Sequence, residues 1–370
     1  MKRSLTRLLR HPRSGRPLRL AVFQAGPDAL GEESITEGVL FDEESGDAYP
    51  ILNGVPVMLD SRFPREFLER HATSLAGVEG SSGLRLGMDA SEGYSFSKEW
   101  DHFFEAEAGR TWGWSAEERV EQLLLETQVD REWCKGKLIL DAGCGNGALS
   151  EAVSRLGADV VALDFSTSVL RAERHRASRV SFVQGDLQSQ VFCQDAFDLA
   201  FSIGVLHHTR STFETFVQVA KFVKPDGLFY VWLYRRPEEF LRRYLKVPLF
   251  DLARAVISRL PSGSQSLAVS SYARLWKAAH RLASGGKDIP LSEYLVSAYD
   301  DLTPQWRHYH TPSEVSGWFH KCGFSAPSLT HWDNPYGFGL VARKTEQEAT
   351  PGIHYGNSPK LWDDRHTILG

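Results

Sequence analysis

The sequence predicts an α/β protein whose core is a parallel β-sheet. From Lys137 onward, short apolar runs alternate with helical segments, which is the pattern of strands joined by crossover helices. A glycine-rich stretch stands between the first of these strands and the following helix. The chain has 370 residues, of which 42% are hydrophobic and 24% charged, an ordinary composition for a globular protein with a substantial core.

The core elements follow from these apolar runs. Strands are predicted near 137–141, 159–164, 180–184, 197–202 and 228–234, with helices near 147–156, 167–176 and 212–223. Nearly continuous apolar stretches such as Val160 to Leu163 are typical of parallel strands that are covered on both faces.

A last helix and two last strands complete the predicted core. Thr311 and Glu314 have the spacing of a capping box, and Pro312 suits the first helical position, so a helix begins there. It ends at Gly323. The two strands are predicted near 327–332 and 337–343.

The chain divides into six predicted segments. They are a small β module at 1–60, an aromatic-rich helical cap segment at 61–136, the central core at 137–234, a helical insertion or substrate lid at 235–310, the C-terminal part of the core at 311–344 and a mobile tail at 345–370. In the first segment, Asn53 and Gly54 separate two apolar stretches and therefore predict a hairpin turn.

Charge and cysteine content narrow the class of protein. The formal net charge of −5 offers no overall attraction for nucleic acid, so no DNA partner is expected. Four cysteines stand singly, which predicts neither disulfides nor a thiolate metal site and favours a cytoplasmic protein. No apolar run approaches the length of about 18 residues that a membrane span needs. The first twenty residues are basic and lack acids, so an organellar targeting segment is the alternative to a folded module there.

The glycine-rich turn carries the strongest chemical information. Asp141 ends the first core strand, and Gly143, Gly145 and Gly147 follow at alternate positions. Such a turn lets the backbone approach a ligand closely, which dinucleotide cofactors also require. A carboxylate at Asp141 would repel a pyrophosphate but attract a ligand that carries an ammonium and a sulfonium. Asp164, at the end of the second strand, is placed to bind a ribose diol.

Five segments in succession resemble the motifs of class I S-adenosylmethionine-dependent methyltransferases. They are Asp141 to Gly147, Val161 to Ser166, Val183 to Leu187, Phe197 to Thr209 and Val223 to Gly227. The resemblance covers 137–234. It implies a Rossmann-like seven-stranded fold, S-adenosylmethionine as cofactor, and in-line transfer of a methyl group to an oxygen, nitrogen or carbon of the acceptor.

The resemblance also implies a set of cofactor-binding residues. They are Asp141, Gly143, Gly145, Asn146, Asp164, Phe165, Ser166, Asp186, Leu187, Ser202, Ile203 and Gly204, the last two forming the wall under the sulfonium. Asp141 would bind the methionyl ammonium, Asp164 the ribose hydroxyls and Asp186 the adenine amino group. For Phe165 and Leu187, packing in the core is the alternative interpretation.

Substrate-binding and catalytic residues are predicted on the segments that flank these motifs. Tyr94, Trp100 and Tyr309 stand in aromatic segments similar to those of a bacterial subgroup, and with Tyr234 they are the predicted substrate-binding residues. Histidine is the side chain whose ordinary pKa lies near neutrality. The candidate general bases are therefore His207, His208, His308 and His310. For the first pair, a hydrogen bond to the backbone is the alternative role.

Residues 11–59 resemble a small zinc-ribbon-like module that accompanies methyltransferases. The stretch from Tyr49 to Pro56 is its most specific part. Where that module has paired cysteines, this chain has His11 and Ser14, then Asp42 and Ser45. A zinc site built on thiolates cannot form from these side chains, so we predict a degenerate module without metal.

The insertion bears on the substrate. Between Arg235 and Leu282 there are ten basic and three acidic residues among many apolar ones. This pattern favours an acidic or amphiphilic acceptor, such as a natural-product or lipid-linked molecule, and contact with a membrane surface. A solvated basic face on a packing helix is the alternative. Two other functions remain open: a catalytically silent binding partner, and a methyltransferase for RNA or protein.

Overall fold

The structure of the protein is a computed structural model. It describes residues 1–28, 31, 33–59, 63–78, 110–111, 114–172, 179–240, 242–283, 290–331, 334–345 and 352–355. The predicted substrate residues Tyr94 and Trp100 lie outside the described residues.

The N-terminal segment forms an antiparallel sheet of four strands. After a 3-10 helix at Arg3–Arg7 come β1 (Arg19–Pro27), β2 (Glu33–Phe41), β3 (Ala48–Leu52) and β4 (Val55–Pro56), which pair in that order. Asn53 and Gly54 both have positive φ, 49° and 90°, as a tight hairpin turn between β3 and β4 requires. The sequence predicted this hairpin but not β1, because side chains on both faces of β1 are partly or largely exposed.

The cap segment is only partly described. It contains α1 (Arg65–Arg70), α2 (Ala72–Ala76), the short pair β5 (Arg110–Thr111) and β6 (Trp114–Ser115), and α3 (Ala116–Thr127). Ser115 and Glu118 form a reciprocal capping box that begins α3. This capping box fixes the start of α3 at Ala116.

The central sheet confirms the predicted α/β fold. Its strands are β7 (Leu138–Ala142), β8 (Asp159–Asp164), β9 (Val180–Gln184), β10 (Phe197–Ile203), β11 (Val223–Tyr234), β12 (Ser328–Thr330), β13 (Gly337–Arg343) and β14 (His354–Tyr355). The spatial order is β14-β12-β13-β11-β10-β7-β8-β9, and only β13 runs antiparallel to its neighbours. From β7 the chain adds β8 and β9 on one side of the sheet and then β10 and β11 on the other side. This change of direction leaves a crevice at the carboxyl ends of β7 and β10.

Helices cover the sheet between the strands. They are α4 (Ala148–Ser154), α5 (Ser168–Ala172), α6 (Thr212–Phe222) and, after the insertion, the helix at Pro312–Lys321. The capping box of Thr311 and Glu314 is present, as predicted. The last part of the helix predicted near 167–176 lies outside the described residues.

Two strands of the central sheet, β11 and β14, differ from the sequence prediction. β11 begins at Val223 and contains a bulge around Asp226, where φ is +62°. In the segment predicted to be a mobile tail, His354 and Tyr355 pair with β12 and add an eighth strand. Ile353 packs against the core and Ser316 donates a hydrogen bond to the Gly352 carbonyl (3.0 Å), so local tertiary contacts order this short stretch.

The insertion is helical, as predicted. A π-helical turn at Arg242–Lys246 leads into α7 (Val247–Ile257), followed by α8 (Ser262–Ala283) and α9 (Leu291–Leu302); the helix at Pro312–Lys321 is α10. The insertion has an apolar cluster of its own, made of Val269, Ala273, Tyr294, Ala298, Tyr299 and Leu302. It is therefore a packed helical unit rather than a loose loop.

The N-terminal module packs directly against the edge strand β9. Val57 pairs with Gln184 in parallel register, and Leu9 pairs with Phe192. Leu5 and Leu9 are buried in the same apolar core as the central sheet. The first ten residues, which had the composition of a targeting segment, are therefore part of the folded module.

Hydrogen bonds and ion pairs occupy the two turns at which the resemblance of residues 11–59 predicted a degenerate metal site. The His11 ring accepts a hydrogen bond from the Ser14 backbone N–H (3.0 Å) and donates to Asp47 (3.0 Å). Asp42 accepts from the Ser45 hydroxyl (2.6 Å) and from Arg16 (2.5 Å), and the Arg16 guanidinium holds the pKa of this carboxyl well below its usual range. Within the described residues, no group of three or more His, Cys, Asp or Glu side chains is arranged to hold a metal.

We expect the purified protein to contain no stoichiometric zinc, and a chelator to leave its melting temperature unchanged. The ion pairs already neutralise the polar groups of both turns, so no metal is needed to fold them. Elemental analysis and thermal unfolding with and without chelator test this. One zinc per chain, or a chelator-induced drop in melting temperature, would contradict it.

Candidate functional site

The glycine turn after β7 is required by the packing around it. Gly143, Gly145 and Gly147 have φ values of +96°, +56° and +76°, which side chains other than glycine rarely adopt. A Cβ atom on Gly143 would lie 2.4 Å from a methyl carbon of Val205. The turn thus brings its backbone to the crevice without side chains in the way.

Asp141 is a buried acid at the centre of this turn. Its carboxylate accepts a hydrogen bond from the Ser150 hydroxyl (2.6 Å). Burial raises the pKa of Asp141 to about 7; the Ser150 hydrogen bond and the charge of Arg119 oppose this rise, whereas Asp164 adds to it. The ionised form is therefore costly in the absence of a cationic ligand.

Asp164 holds the turn in place from the neighbouring strand. One of its oxygens accepts from the Gly145 N–H (2.8 Å), and the other accepts from the backbone N–H and the hydroxyl of Ser166 (2.8 and 2.6 Å). Burial raises its pKa, against these hydrogen bonds. Ser166 is thus placed as a partner of Asp164.

The predicted adenine-binding residues lie beside the N-terminal module. Asp186 is half-buried and accepts from the Gln188 N–H (2.9 Å), while Phe165 is also half-buried. Leu187 is buried in the apolar core, which favours the packing interpretation for this residue.

Asn146, another predicted cofactor-binding residue, lies in the glycine turn. Its side chain accepts a hydrogen bond from the Ala148 N–H (3.1 Å) at the start of α4.

The end of β10 forms an open wall of the crevice. The buried Ser202 hydroxyl donates to the Ala142 carbonyl (2.7 Å), which ties β10 to β7. Ile203 is half-buried, and Gly204, at φ +75°, has no atom within 4 Å of the position a Cβ would take. The residues present therefore fit a ligand that carries a cationic group, because an open wall at Gly204 and a buried acid at Asp141 stand at the ends of adjacent strands.

Each of the first two candidate histidines contacts an aromatic ring. The His207 ring is buried 3.9 Å from that of Tyr234, burial holds its pKa well below the ordinary value, and neither nitrogen has a hydrogen-bond partner among the described residues. The His208 ring lies next to His207 (4.4 Å), and its two nitrogens face the Trp306 carbonyl (3.0 Å) and Asp300 (3.1 Å). Both of these partners are hydrogen-bond acceptors.

The second pair of histidines points away from the insertion. His308 donates to the Thr209 carbonyl (3.1 Å). His310 faces Glu314 (3.1 Å), its ring lies 4.9 Å from that of Trp318, and burial lowers its pKa. Tyr309, between them in an extended segment, takes the opposite side.

A cavity of about 150 Å³ lies between the end of β11 and the insertion. Its lining residues are Tyr234, Lys246, Val247, Phe250, Arg254, Tyr272, Trp276, Asp301, Arg307, Tyr309 and Tyr336. The structure thus places the predicted substrate residues Tyr234 and Tyr309 on one cavity, whereas none of the four histidines is among its described lining residues.

Sequence reasoning missed the cationic part of this wall. Arg254 was counted only among the charges of the insertion, and Arg307 was not singled out. The available indication was the position of Arg254 in helix α7, whose other residues are apolar except for Asp251, three positions earlier.

A polar link joins the cavity to His208. The Tyr234 hydroxyl donates to Asp300 (2.6 Å), whose other oxygen faces His208. Although burial alone would raise it, the hydrogen bond from His208 and the nearby charges hold the pKa of Asp300 well below its usual range. The Arg307 guanidinium lies over the Tyr234 ring, 4.4 Å from its centroid.

Comparison with known proteins agrees with this site. A methyltransferase domain family matches residues 140–231. The mitochondrial ubiquinone biosynthesis O-methyltransferase of Schizosaccharomyces pombe is 30% identical over 181 residues, 45% of this chain and 64% of that protein. Its counterpart in Photorhabdus laumondii is 30% identical over 172 residues, 44% of this chain and 69% of that protein. The chain thus spans less than two thirds of the fission yeast relative.

Solved structures with a similar fold have lower identity. An S-adenosylmethionine-dependent methyltransferase from Mesorhizobium loti is 19% identical with a TM-score of 0.40, covering 63% of this chain and all of that one. Magnesium protoporphyrin IX methyltransferase from Synechocystis, solved with bound S-adenosylhomocysteine, is 15% identical with a TM-score of 0.39, covering 68% and 97%.

Proposed function

We propose that this chain, which belongs to the class I S-adenosylmethionine-dependent methyltransferases, methylates an oxygen atom of a small, lipid-linked aromatic molecule. The observation that carries this proposal is the aromatic cavity between the end of β11 and the insertion. Relatives named for O-methylation in ubiquinone biosynthesis support it. A cavity of this size favours a small acceptor over an RNA or protein chain.

The chain's own residues would bind and orient both reactants. S-adenosylmethionine supplies an activated methyl group when bound. Asp141 would bind its ammonium and Asp164 its ribose hydroxyls, with Gly204 leaving room for the sulfur centre. Tyr234 and Tyr309 would hold the acceptor ring in line, which is the larger part of catalysis when the methyl group is already activated. A silent binding partner would have no use for Asp141 and Asp164 together.

The four histidines stay candidates for proton removal. Their geometry favours an indirect role for His208, which acts on the cavity through Asp300 and the Tyr234 hydroxyl. We therefore treat His208 as a positioning residue. His310 has the arrangement of a base, with Glu314 behind one nitrogen, but it lies on the side of Trp318.

Methyl transfer is tested with radiolabelled S-adenosylmethionine and catechols that carry a short prenyl chain. We expect a labelled methyl ether and one S-adenosylhomocysteine per product. Asp164→Ala should weaken cofactor binding about tenfold, because a charge-assisted hydrogen bond contributes ~1.5–3 kcal/mol. Tight binding of NAD in calorimetry, with none of S-adenosylmethionine, would overturn the proposal.

Contact with a membrane surface is a separate proposal about the partner. Leu245 of the π-helical turn and Leu249, Leu252 and Val256 of α7 are exposed, and their spacings of four, three and four residues place them along one side. The opposite face of this helix packs on the apolar cluster of the insertion. Basic residues around the exposed stripe suit anionic lipid. No described helix is long and apolar enough to cross a bilayer.

We expect the protein to float with vesicles that contain phosphatidylglycerol and to stay behind with phosphatidylcholine alone. Leu249→Asp should reduce flotation at least about fivefold, because it places a charge in the apolar stripe. Leu125→Asp, on an exposed position of α3, is the matched control and should float like the unchanged protein. Equal flotation of both variants would contradict the assignment of this face.

A further inference from the structure

The strongest unassigned feature is a pair of arginines in the wall of the cavity, of which Arg254 is buried and Arg307 is largely buried. Arg254 is only 5% exposed; its Nε donates to the Asp301 carbonyl (3.0 Å) and its Nη1 to Asp251 (2.9 Å). Its Nη2 is buried and has no hydrogen-bond partner among the described residues. Leaving a buried cationic N–H without an acceptor is costly, so such a group indicates a missing ligand.

Arg307 shows the same incomplete bonding from the other side. Its Nη1 donates to Asp301 (2.6 Å), while its Nε is buried and without a partner among the described residues. Both arginines line the same cavity, and each has one buried N–H group without a partner among the described residues.

The charge of the cavity wall agrees with an anionic ligand. Lys246, Arg254 and Arg307 are its described cations, and Asp301 is its described acid. Asp301 is already paired with Arg307. Asp251, the partner of Arg254, is about half exposed and outside the lining. Aromatic side chains, including Tyr272 and Trp276, form the rest of the wall.

We propose that Arg254 and Arg307 form an anion subsite that binds an acidic group, a carboxylate or a phosphate, on the aromatic methyl acceptor. A guanidinium presents donors in a plane and suits both kinds of oxyanion. The ring of the acceptor then packs against Tyr234 and Tyr309. This subsite rests on the proposed function, since it assigns the acceptor's acidic group to this cavity.

The test measures binding of small probes by calorimetry to the full chain, with S-adenosylhomocysteine binding measured on the same samples. We expect benzoate or phenyl phosphate to bind at least about tenfold more tightly than phenol, and the preferred probe identifies the acidic group. Arg254→Gln should remove this preference. Arg259→Gln, which deletes a nearby exposed charge, is the matched control and should keep it.

A second variant covers the case in which Arg254→Gln fails to fold. Arg307→Lys keeps a cation near Asp301 but removes the Nε donor, and should weaken benzoate or phenyl phosphate at least about fivefold while S-adenosylhomocysteine binds normally. Equal binding of phenol and the two anions, or unchanged anion binding in Arg307→Lys, would overturn the subsite. Loss of S-adenosylhomocysteine binding in the unchanged protein would instead overturn the proposed function.

Discussion

Asp141→Asn will weaken S-adenosylhomocysteine binding roughly 10- to 100-fold at pH 8 and abolish the pH dependence of binding. The pKa of Asp141 is about 7 in the ligand-free protein because the side chain is buried. An ammonium ligand binds the ionised form, so affinity in the unchanged protein rises with pH up to about 7 and then levels off. Calorimetry from pH 5.5 to 8 measures both effects.

The same variant has an opposite effect on stability without ligand. The folded-state pKa of Asp141 lies above its unfolded value of roughly 3.9, so the folded protein keeps its proton between about pH 4 and pH 7 while the unfolded chain releases it. This residue therefore makes the free energy of unfolding fall as pH rises through that range. Asp141→Asn should be more stable than the unchanged protein at pH 8, by roughly 1 to 3 kcal/mol.

Chemical denaturation at pH 5 and pH 8 measures this gain. Glu117→Gln, which changes an exposed acid on α3, is the control and should leave both stability and affinity unchanged. Normal ligand affinity of Asp141→Asn at pH 8 would show that the buried acid does not meet a cationic group. No gain in stability would show that the ionised form of Asp141 is not costly in the ligand-free protein.

His208→Ala should lower kcat by about 10²-fold while cofactor affinity stays within about threefold. The substitution removes the imidazole ring that faces Asp300, and Asp300 anchors the Tyr234 hydroxyl at the cavity. A small displacement of a group that positions the acceptor is enough for an effect of this size. His308→Ala removes only a hydrogen bond to the Thr209 carbonyl and should change kcat by less than about threefold.

Asp300→Asn distinguishes a shared positioning role from independent effects. If His208 acts through Asp300, the double variant should be little worse than either single variant in kcat, because both remove the same link. If the losses in kcat of the two single variants add up in the double variant, His208 does not act through Asp300. Near-normal turnover of all four histidine variants would exclude a histidine base and leave catalysis to positioning.

Much of the central sheet could be predicted because its information is local. The strand from Leu138 and the helix start at Thr311 depend on apolar runs and on capping residues within a few positions. β1 and β14 were not predicted. β1 lacks a clear apolar face, and β14 is two residues long and pairs with β12 only because the tail packs against the core.

The sequence by itself determined the cofactor chemistry of this protein. Asp141, Asp164 and the glycines between them stand within one strand-turn-helix-strand unit. Together with the motifs that follow, they resemble class I methyltransferases and so predict S-adenosylmethionine as the cofactor. Only the tertiary structure decided which residues line the cavity in which we propose that the acceptor binds. Tyr234, Arg254, Arg307 and Tyr336 are far apart in the chain and share a cavity because the insertion folds over the end of β11. Contacts between residues that are distant in the sequence cannot be predicted from spacing. They form because buried polar groups that have lost their contact with water need hydrogen-bond partners inside the protein.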